Sequence, residues 1–397
     1  MSTPPSTQDS ASNRLLWLFS FVNLVIGSAA FVLAGILTLA AEALQTSVAA
    51  VGQGITAYAL ATAVLAPLLL VATGGWTRRR ALVAAMALFT VGAVVCALAD
   101  TLALLLAGRV LMGAGAMVTP LMSGLVVGLV EPARRGRALA FVFLGMSLSY
   151  AMGIPLGAWL GFAAGWHAPL WAGAALSALC CVLLARLVPA RIDAPGASFT
   201  GLGGLLRQPA LLAVLGLTLL SFTAIFTVFS YIGPVLRALA PMSSTSLSLT
   251  LAAFGLSGVA GTMLGGRAGD RFGAQRSCMV SLGVLASMMA LLPLTAGQPS
   301  AMLAVMLVWG LAGFSMMAPQ QARLAAMAGA HAPLALSLNA SMLYLGTAAG
   351  AAMGGLAVGR LGFAQLSWAG LPFALAGLLL LAVGRSAEPL VAARRAA

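Results

Sequence analysis

Apolar residues occur along this chain in runs of about 18 or more, and short polar segments separate the runs. A helix needs about 20 apolar residues to cross the hydrocarbon core of a bilayer, so each run predicts a membrane-spanning helix. Six spans are predicted before a polar connector and six after it. They cover approximately residues 15–41, 48–73, 81–98, 102–127, 138–162 and 169–187, then 210–236, 247–266, 277–294, 301–325, 333–358 and 366–383.

This pattern predicts an all-α integral membrane fold in which twelve transmembrane helices form two six-helix bundles. The N-terminus is rich in Ser, Thr and Pro and is expected to be disordered. The predicted domains are a disordered cytoplasmic N-terminus at 1–14, a first bundle at 15–187, a cytoplasmic connector at 188–208, a second bundle at 209–385 and a cytoplasmic tail at 386–397.

Composition supports a membrane protein. Hydrophobic residues make up 61% of the chain and charged residues only 7%, whereas a soluble domain has about a quarter charged residues. The net charge of +13 could indicate nucleic-acid binding. However, the basic residues are all arginines and stand in short clusters between apolar runs, which is typical of membrane proteins. We therefore expect the lipid bilayer, and no nucleic acid, as a partner.

The sequence lacks the motifs of metal or nucleotide chemistry. Its four cysteines show no C-x-x-C spacing, no His lies inside a predicted span, and neither H-E-x-x-H nor a nucleotide-binding loop is present. We expect no metal site, no cofactor and no enzymatic activity such as ATP hydrolysis or membrane proteolysis.

Arginine is distributed unevenly between the two sets of loops. With the N-terminus inside, seventeen arginines fall in cytoplasmic segments, only Arg237 and Arg360 fall on the other side, and Arg109 lies inside a span. Because positive residues are retained in the cytoplasm, both termini are expected on the cytoplasmic side of a bacterial inner membrane.

The two halves of the chain show signs of duplication. The arginine clusters before the third and ninth spans are offset by 198 residues (276 − 78), and Pro120 and Pro319 by 199 (319 − 120). A near-constant offset predicts bundles related by a pseudo-two-fold axis along the membrane normal, with a substrate site between them.

A loop motif lies between the eighth and ninth spans. Gly266, Asp270, Arg271 and Gly273 form the pattern G-x-x-x-D-R-x-G. This pattern resembles the cytoplasmic loop signature of the major facilitator superfamily. The resemblance implies a gating loop that latches the cytoplasmic side when the outward-facing state forms. An ordinary solvated loop is the alternative.

The corresponding segment of the first half is degenerate. It keeps Arg78, Arg79 and Arg80 but has Gly75 where the acid should be. In this respect it resembles the sugar-efflux and drug-efflux branch of the superfamily, which the arabinose efflux permeases typify. The missing acid argues against a charge latch in the first half.

Arg109 lies about 10 Å deep in the fourth span. A charge at such a depth costs at least ~2.5 kcal/mol, so Arg109 is a candidate functional residue. With Gly113 it resembles the superfamily motif R-x-x-x-G, whose arginine is implicated in proton coupling. Snorkelling to the surface is the alternative. Glu42, at the end of the first span, is the candidate proton carrier with Arg109 as its candidate partner, although a solvated loop acid is an equally good interpretation.

Small residues recur at helical spacing in three spans. They are Gly153, Pro155, Gly157 and Gly161 in the fifth, Gly261, Gly265 and Gly269 in the eighth, and Gly346, Gly350 and Gly354 in the eleventh. The fifth-span set resembles the antiporter motif of drug exporters, which implies export. The resemblance also implies that the eighth and eleventh spans contact the fifth and second across the interface between bundles. Generic helix packing is the alternative.

The resemblance further implies that spans 1, 4, 7 and 10 line a central cavity, with additions from 5 and 11. The candidate side chains are aromatic, thioether or weakly polar, which suits neutral or amphipathic solutes. They are Asn23, Met112, Met117, Tyr150, Ser221, Thr223, Phe226, Gln320, Asn339 and Tyr344. For any one of them, helix packing is the simpler interpretation.

These features predict a monomeric secondary transporter that exports a small molecule, such as a drug, sugar or metabolite, in exchange for protons by alternating access. A proton-coupled uptake symporter is the alternative. A membrane receptor or enzyme that transports nothing is a remote one.

Overall fold

The computed structural model describes residues 7–131, 135–189, 202–329 and 332–385, and these residues are almost entirely helical. Within these ranges, twelve helices are long and apolar enough to cross a membrane, which confirms the predicted fold class. They are α1 (Asn13–Ala43), α2 (Val48–Ala72), α3 (Arg78–Ala97), α4 (Leu102–Val126), α5 (Phe141–Ala164), α6 (His167–Leu187), α7 (Pro209–Phe229), α8 (Ser244–Phe272), α9 (Ala274–Thr295), α10 (Pro299–Ala328), α11 (Leu334–Leu361) and α12 (Leu366–Val383).

The helices define two faces of the molecule. α1 begins and α12 ends at the same face, which we call the terminal face; successive helices run in alternate directions between this face and the opposite, far face. α1 to α6 pack mainly on one another, and α7 to α12 do the same. The chain therefore forms two six-helix halves.

α4 and α10 are interrupted at matching positions of the two halves. The second segment of α4, Val118–Leu129, begins two residues before Pro120, and that of α10, Met317–Ala328, two residues before Pro319. Proline lacks an N–H and clashes with the carbonyl group four residues earlier, which accounts for both interruptions. The duplication inferred from the proline offset therefore has a structural counterpart.

α5 contains a π-helical turn at Ser149–Gly153, between the α-helical segments Arg135–Leu148 and Ile154–Ala164. Pro155 follows this turn. Because Pro155 has no N–H, the carbonyl of Ala151 lacks its usual helical donor, and a wider turn is favoured there.

The glycines of α5 provide its contact with α1, which runs parallel to it. A Cβ added at Gly153, Gly157 or Gly161 would overlap a side chain of α1. The contact pairs are Gly153 with Ser28, Gly157 with Val32 and Gly161 with Ile36. This motif therefore joins two helices of the same half.

The glycine stripes of α8 and α11 pack within one half, although the two helices themselves contact α5 and α2 across the interface, as the resemblance implied. Gly261, Gly265 and Gly269 face Leu311, Ser315 and Pro319 of α10, and Gly346, Gly350 and Gly354 face α7 and Tyr231. The glycines that do meet the other half are Gly255 of α8, against Ala151 of α5, and Gly355 of α11, beside Gln53 of α2. Spacing by four puts residues on one face of a helix but does not determine which neighbour that face meets.

Two predicted boundaries change. A helix extends from Thr7 to Phe31, so residues 7–14, expected to be disordered, are helical, because a helix nucleated in the apolar run adds residues at little cost. The predicted connector contains a short helix, Leu202–Leu206. Residues 190–201 of the connector and the tail at 386–397 lie outside the described residues.

Two adjacent glycines of α8 give a matched test of this packing. We expect Gly265→Ala to lower the free energy of unfolding by about 1–3 kcal/mol, because the new Cβ would overlap the carbonyl oxygen of Ser315. Gly266→Ala should leave stability unchanged or raise it by up to ~1 kcal/mol, since no atom lies within 4 Å of its Cβ. Unfolding of both variants in detergent, followed by tryptophan fluorescence, measures the difference. Equal losses would contradict the contact.

Candidate functional site

The closest contacts between the two halves lie toward the far face of the described structure. α2 packs on α11, where Gly52 meets the ring of Tyr231, and α5 packs on α8, where Ala151 meets Gly255. Toward the terminal face, the second segments of α4 and α10 pack mainly on helices of their own half. The molecule is thus closed at the far face, and the space between the halves opens toward the terminal face.

Aromatic side chains from both halves form a layer at the closed end of this opening. The aromatic layer consists of Phe31, Tyr58 and Tyr150 from the first half and Phe226, Phe229, Phe314 and Tyr344 from the second. Four ring pairs of the layer cross between the halves. Their centroid distances are 5.6 Å for Phe31 and Phe226, 5.2 Å for Tyr150 and Phe314, 6.0 Å for Tyr150 and Phe229, and 6.4 Å for Tyr58 and Tyr344. At such distances aromatic rings attract each other, so the layer stabilises the closed end.

Arg109 of α4 is buried behind this layer. Its Nε donates to the carbonyl oxygen of Gly54 and its Nη1 to that of Ala29, both at 3.1 Å, while Nη2 donates to the carbonyl oxygen of Ala30. Its Cζ lies 5.0 Å from the ring centroid of Tyr58, which adds a cation–π contact. The snorkelling alternative was wrong, because only 1% of Arg109 is exposed.

A break in α1 supplies two of these acceptors. α1 ends its first segment at Phe31 and resumes at Leu33. In an unbroken helix, the carbonyls of Ala29 and Ala30 would accept from residues 33 and 34, which here begin the second segment. The guanidinium is therefore stabilised by the freed backbone dipoles of α1 and by α2, without a carboxylate.

The structure does not bring Glu42 to Arg109, so this predicted pair was wrong. Glu42 is exposed at the far-face end of α1, and its backbone carbonyl accepts from the amide of Gln45. Asp270 is the other acid within the twelve membrane-length helices, and it is exposed at the terminal-face end of α8. In the described part of the chain, no carboxylate lies beside the aromatic layer.

The Asp270 motif is mostly helical. α8 continues to Phe272, and only Gly273, with a φ of +85°, separates it from α9. This φ favours glycine, which explains the last residue of the motif. Asp270 and Arg271 are exposed. The latch is expected only when the terminal face closes, so it stays a prediction.

The arginines at the start of α3 hold first-half helices together. Arg79 donates to the carbonyl oxygen of Ala185 near the end of α6, and the Cζ of Arg80 lies 4.9 Å from the ring centroid of Trp76. A cation at a helix C-terminus is favourable because it complements the helix dipole.

A chain of polar side chains links three helices of the second half. Gln320 of α10 donates through Nε2 to the carbonyl oxygen of Val214 at 2.6 Å and to the hydroxyl of Thr218 at 3.1 Å, both in α7. The Thr218 hydroxyl donates to Oδ1 of Asn339 in α11 at 2.6 Å. This chain borders a pocket that Phe222, Met316, Met317, Gln321 and Leu343 also line.

The first half has a corresponding link. Asn23 of α1 donates through Nδ2 to the carbonyl oxygen of Val142 at 3.0 Å and accepts at Oδ1 from Thr119 of α4 at 2.9 Å. In both halves, therefore, amide and hydroxyl side chains join the equivalent helices.

Five of the ten predicted cavity residues lie at the opening, and five are enclosed by their own half. Tyr150, Phe226 and Tyr344 belong to the aromatic layer, and Gln320 and Asn339 to the polar chain. The residues enclosed by their own half neither belong to the aromatic layer nor line the pocket, and they are Asn23, Met112, Met117, Ser221 and Thr223. In this conformation the enclosed residues pack against helices of their own half.

Sequence reasoning missed several residues of the site, including Phe31, Tyr58 and Thr218. One signal existed for Thr218: it follows Asn23 by 195 residues (218 − 23), close to the offset of the duplication. Nothing in an apolar run distinguishes an aromatic residue of the layer from one that faces lipid.

Comparisons with known proteins agree with this architecture. The family model of the Major Facilitator Superfamily matches residues 19–240 and 237–396. The chain is 31% identical over 368 residues to the inner membrane transport protein YdhP of Escherichia coli K12, covering 91% of this chain and 93% of that protein. It is 26% identical over 358 residues to the uncharacterized MFS-type transporter YbcL of Bacillus subtilis 168, covering 89% and 91%.

Two solved structures share the fold. One is a bacterial homolog of the human lysosomal transporter Spinster, in an inward-facing and unoccupied conformation, with a TM-score of 0.73, 15% identity and coverage of 96% of both chains. The other is a variant of the nucleoside transporter NupG, with a TM-score of 0.73, 15% identity and coverage of 95% of this chain and 100% of that one.

Proposed function

The chain belongs to the Major Facilitator Superfamily, and from this premise we propose that it exports a small molecule across the bacterial inner membrane in exchange for protons. It is a multi-pass membrane transporter and not an enzyme. We propose in addition the direction of transport, the coupling ion and the location of the substrate site.

One observation carries the proposal. The two halves meet at the far face through the aromatic layer and separate toward the terminal face. Alternating access needs such a one-sided opening, together with a second state in which the contacts are exchanged between faces. The shared fold of the two halves makes a rocking motion about the aromatic layer the simplest route between the states.

The distribution of arginine supports the orientation. The terminal face has the loops that contain most of the arginines, and cytoplasmic loops of membrane proteins are enriched in Lys and Arg. We therefore place the terminal face in the cytoplasm, with both termini inside and the opening directed inward.

The packing of α5 supports export. Its glycine-proline set, which resembles the antiporter motif of drug exporters, forms the contact with α1 at Gly153, Gly157 and Gly161. α1 also supplies Phe31 to the aromatic layer and two acceptors to Arg109. Movement of α5 against α1 would thus change the contacts of the aromatic layer and also the hydrogen bonds of Arg109.

Proton exchange is proposed through Arg109, although no carboxylate of the described residues accompanies it in this conformation. A change in the carbonyl contacts of α1 during closure would alter the environment of the guanidinium. Glu42 and Asp270, at opposite ends of the bundle, are the acids within the helices that could exchange protons with each side.

Everted membrane vesicles test the function. Cells that overexpress the protein are first screened for altered tolerance to antibiotics, sugars and nucleosides, and a positive compound is then labelled. Exporting vesicles should accumulate it when their interior is acidified, and nigericin should abolish accumulation. Uptake that instead follows proton entry into right-side-out vesicles would establish the symporter, and binding without movement would establish a receptor.

We expect Asp270→Asn to slow turnover several-fold without changing insertion, since Asp270 is exposed here and would pair only when the terminal face closes. Asp100→Asn, an equally exposed acid at the far face, is the matched control and should transport normally. Initial transport rates of the two variants in vesicles give the comparison. Unchanged transport by Asp270→Asn would reduce the motif to a topological signal.

A further inference from the structure

The geometry points to a substrate class: an uncharged, planar aromatic molecule that presents a hydrogen-bond-accepting oxygen to Asn339. The inference rests on the proposed function in one respect, namely that the opening between the halves holds the transported solute. Three features of the second half support it.

The first feature is the direction of the hydrogen bonds along the polar chain. The carbonyl oxygen of Val214 can only accept, so the amide nitrogen of Gln320 must face it. The other N–H of Gln320 donates to Thr218, and Thr218 then donates its own proton to Oδ1 of Asn339. The orientation of the Asn339 amide is therefore fixed, and its Nδ2 has no partner among the described residues.

The second feature is the contrast with the first half. There the amide of the link is Asn23, at the position that corresponds to Thr218, and it uses both ends, Nδ2 toward Val142 and Oδ1 toward Thr119. In the second half only the oxygen of the amide is used, although Asn339 is 7% exposed. The Nδ2 of Asn339 is not one of the fully buried unpaired polar atoms of the described residues, so it reaches the pocket, where a ligand that supplies an acceptor gains a hydrogen bond.

The third feature is the surface around this donor. Asn339 shares its pocket with Phe222, Met316 and Met317, and no charged residue lines the pocket. Phe222 stacks on Phe226 of the aromatic layer, with centroids 6.0 Å apart and planes at 14°. The pocket at Asn339 is small, so a planar ring would lie in the opening beside Phe222 and only its oxygen would enter the pocket to accept from Asn339.

The described residues that line the pocket carry no charge, which disfavours ionised substrates. The acids of the twelve helices lie at their ends, and Arg109 is occupied by carbonyl oxygens and faces Tyr58. An ion that entered the pocket would lose hydration without gaining a counter-charge.

Four probes built on one ring system test the inference. They are 1-naphthamide, 1-methylnaphthalene, 1-naphthoate and 1-naphthylmethylammonium, which are fluorescent and differ in the acceptor and the charge. Equilibrium dialysis against the full chain in nanodiscs, with empty nanodiscs subtracted, gives their dissociation constants. We expect 1-naphthamide to bind about tenfold or more tightly than each of the other three.

Two variants assign the effect to Asn339. Asn339→Leu should bring the affinities for 1-naphthamide and 1-methylnaphthalene to about the same value. Asn339→Asp keeps an acceptor for Thr218 but removes the free N–H and adds a negative charge, so it should prefer 1-naphthylmethylammonium. Gln298→Leu removes an exposed amide at the far face and should behave as the wild type. Circular dichroism and size-exclusion profiles verify that each variant is folded.

Several results would overturn the inference: a charged probe that binds best, equal binding of the amide and the methyl compound, no binding of any probe, or an Asn339→Asp variant with the original preference. Transport is measured separately in proteoliposomes. If the amide preference holds but no probe moves, the proposed function fails while the class of ligand that the opening binds stands. If charged probes move fastest, transport stands and the substrate class fails.

Discussion

Arg109→Ala is expected to abolish transport while the protein still inserts as a helical membrane protein. The guanidinium joins α4 to the carbonyl groups of Ala29 and Ala30 in α1 and of Gly54 in α2. Alanine would leave these acceptors without their donor next to the break in α1, and each charge-assisted hydrogen bond is worth roughly 1.5–3 kcal/mol. We therefore expect a lower melting temperature and a transport rate reduced at least tenfold.

Two further variants separate charge from geometry at this site. Lysine keeps the charge but is a point donor and cannot reproduce the planar fork that reaches two helices, so Arg109→Lys should restore little activity. Arg360→Ala removes an exposed arginine of α11 and is the control, which should transport normally. Rates in vesicles, normalised to protein content, and melting curves measure these effects. Full activity of Arg109→Ala would remove the residue from the mechanism.

Gly52→Leu is expected to hold the molecule open at the far face and to stop the transport cycle. Tyr231 is anchored to its own half, because its hydroxyl donates to the carbonyl oxygen of Ala351 at 3.0 Å and its ring lies against Gly354. A side chain at position 52 would overlap this fixed ring. α2 could then no longer approach α11, and the conformation described here would lose its closed end.

Distances between spin labels measure that shift. In a background without the four native cysteines, one label pair replaces Asp100 and Gln298 at the far face, and a second replaces Trp76 and Arg276 at the terminal face. All four positions are exposed. Gly52→Leu should lengthen the far-face distance and shorten the terminal-face distance.

A rescue and a control make this prediction specific. Tyr231→Ala combined with Gly52→Leu removes the obstructing ring and should restore the original distances and part of the transport. Gly359→Leu places a leucine on α11 at a position where no atom lies within 4 Å of the Cβ. It should change neither the spin-label distances nor the transport rate. Identical distances in Gly52→Leu and the wild type would show that this contact does not control closure.

Much of the fold could be predicted from the sequence because each membrane span is a local property. A run of apolar residues long enough to cross a bilayer is read without knowing its neighbours. The matching offsets of Pro120 and Pro319 also indicated the duplication, and both prolines interrupt their helices. The helix starting at Thr7 was missed, since polar residues before an apolar run carry no strong signal for either state.

The site could be predicted only in part, for a reason that Arg109 illustrates. The cost of burying a charge marked Arg109 as functional, but the sequence offered Glu42 as its partner because side-chain acids are visible in a sequence and free backbone carbonyls are not. The acceptors arise from a break in α1. Similarly, the stripe of Gly346, Gly350 and Gly354 was visible, whereas its neighbour, α7, was not.

By itself, the sequence determined the twelve spans, the two-fold duplication and the buried cation, since each follows from hydropathy, spacing or desolvation along a single segment. Only the tertiary structure decided which faces of the helices meet, which end of the molecule is closed, and that Asn339 keeps a free donor while Asn23 does not. These properties depend on contacts between helices more than 90 residues apart in the chain, such as Thr218 with Asn339, and no local pattern encodes such contacts.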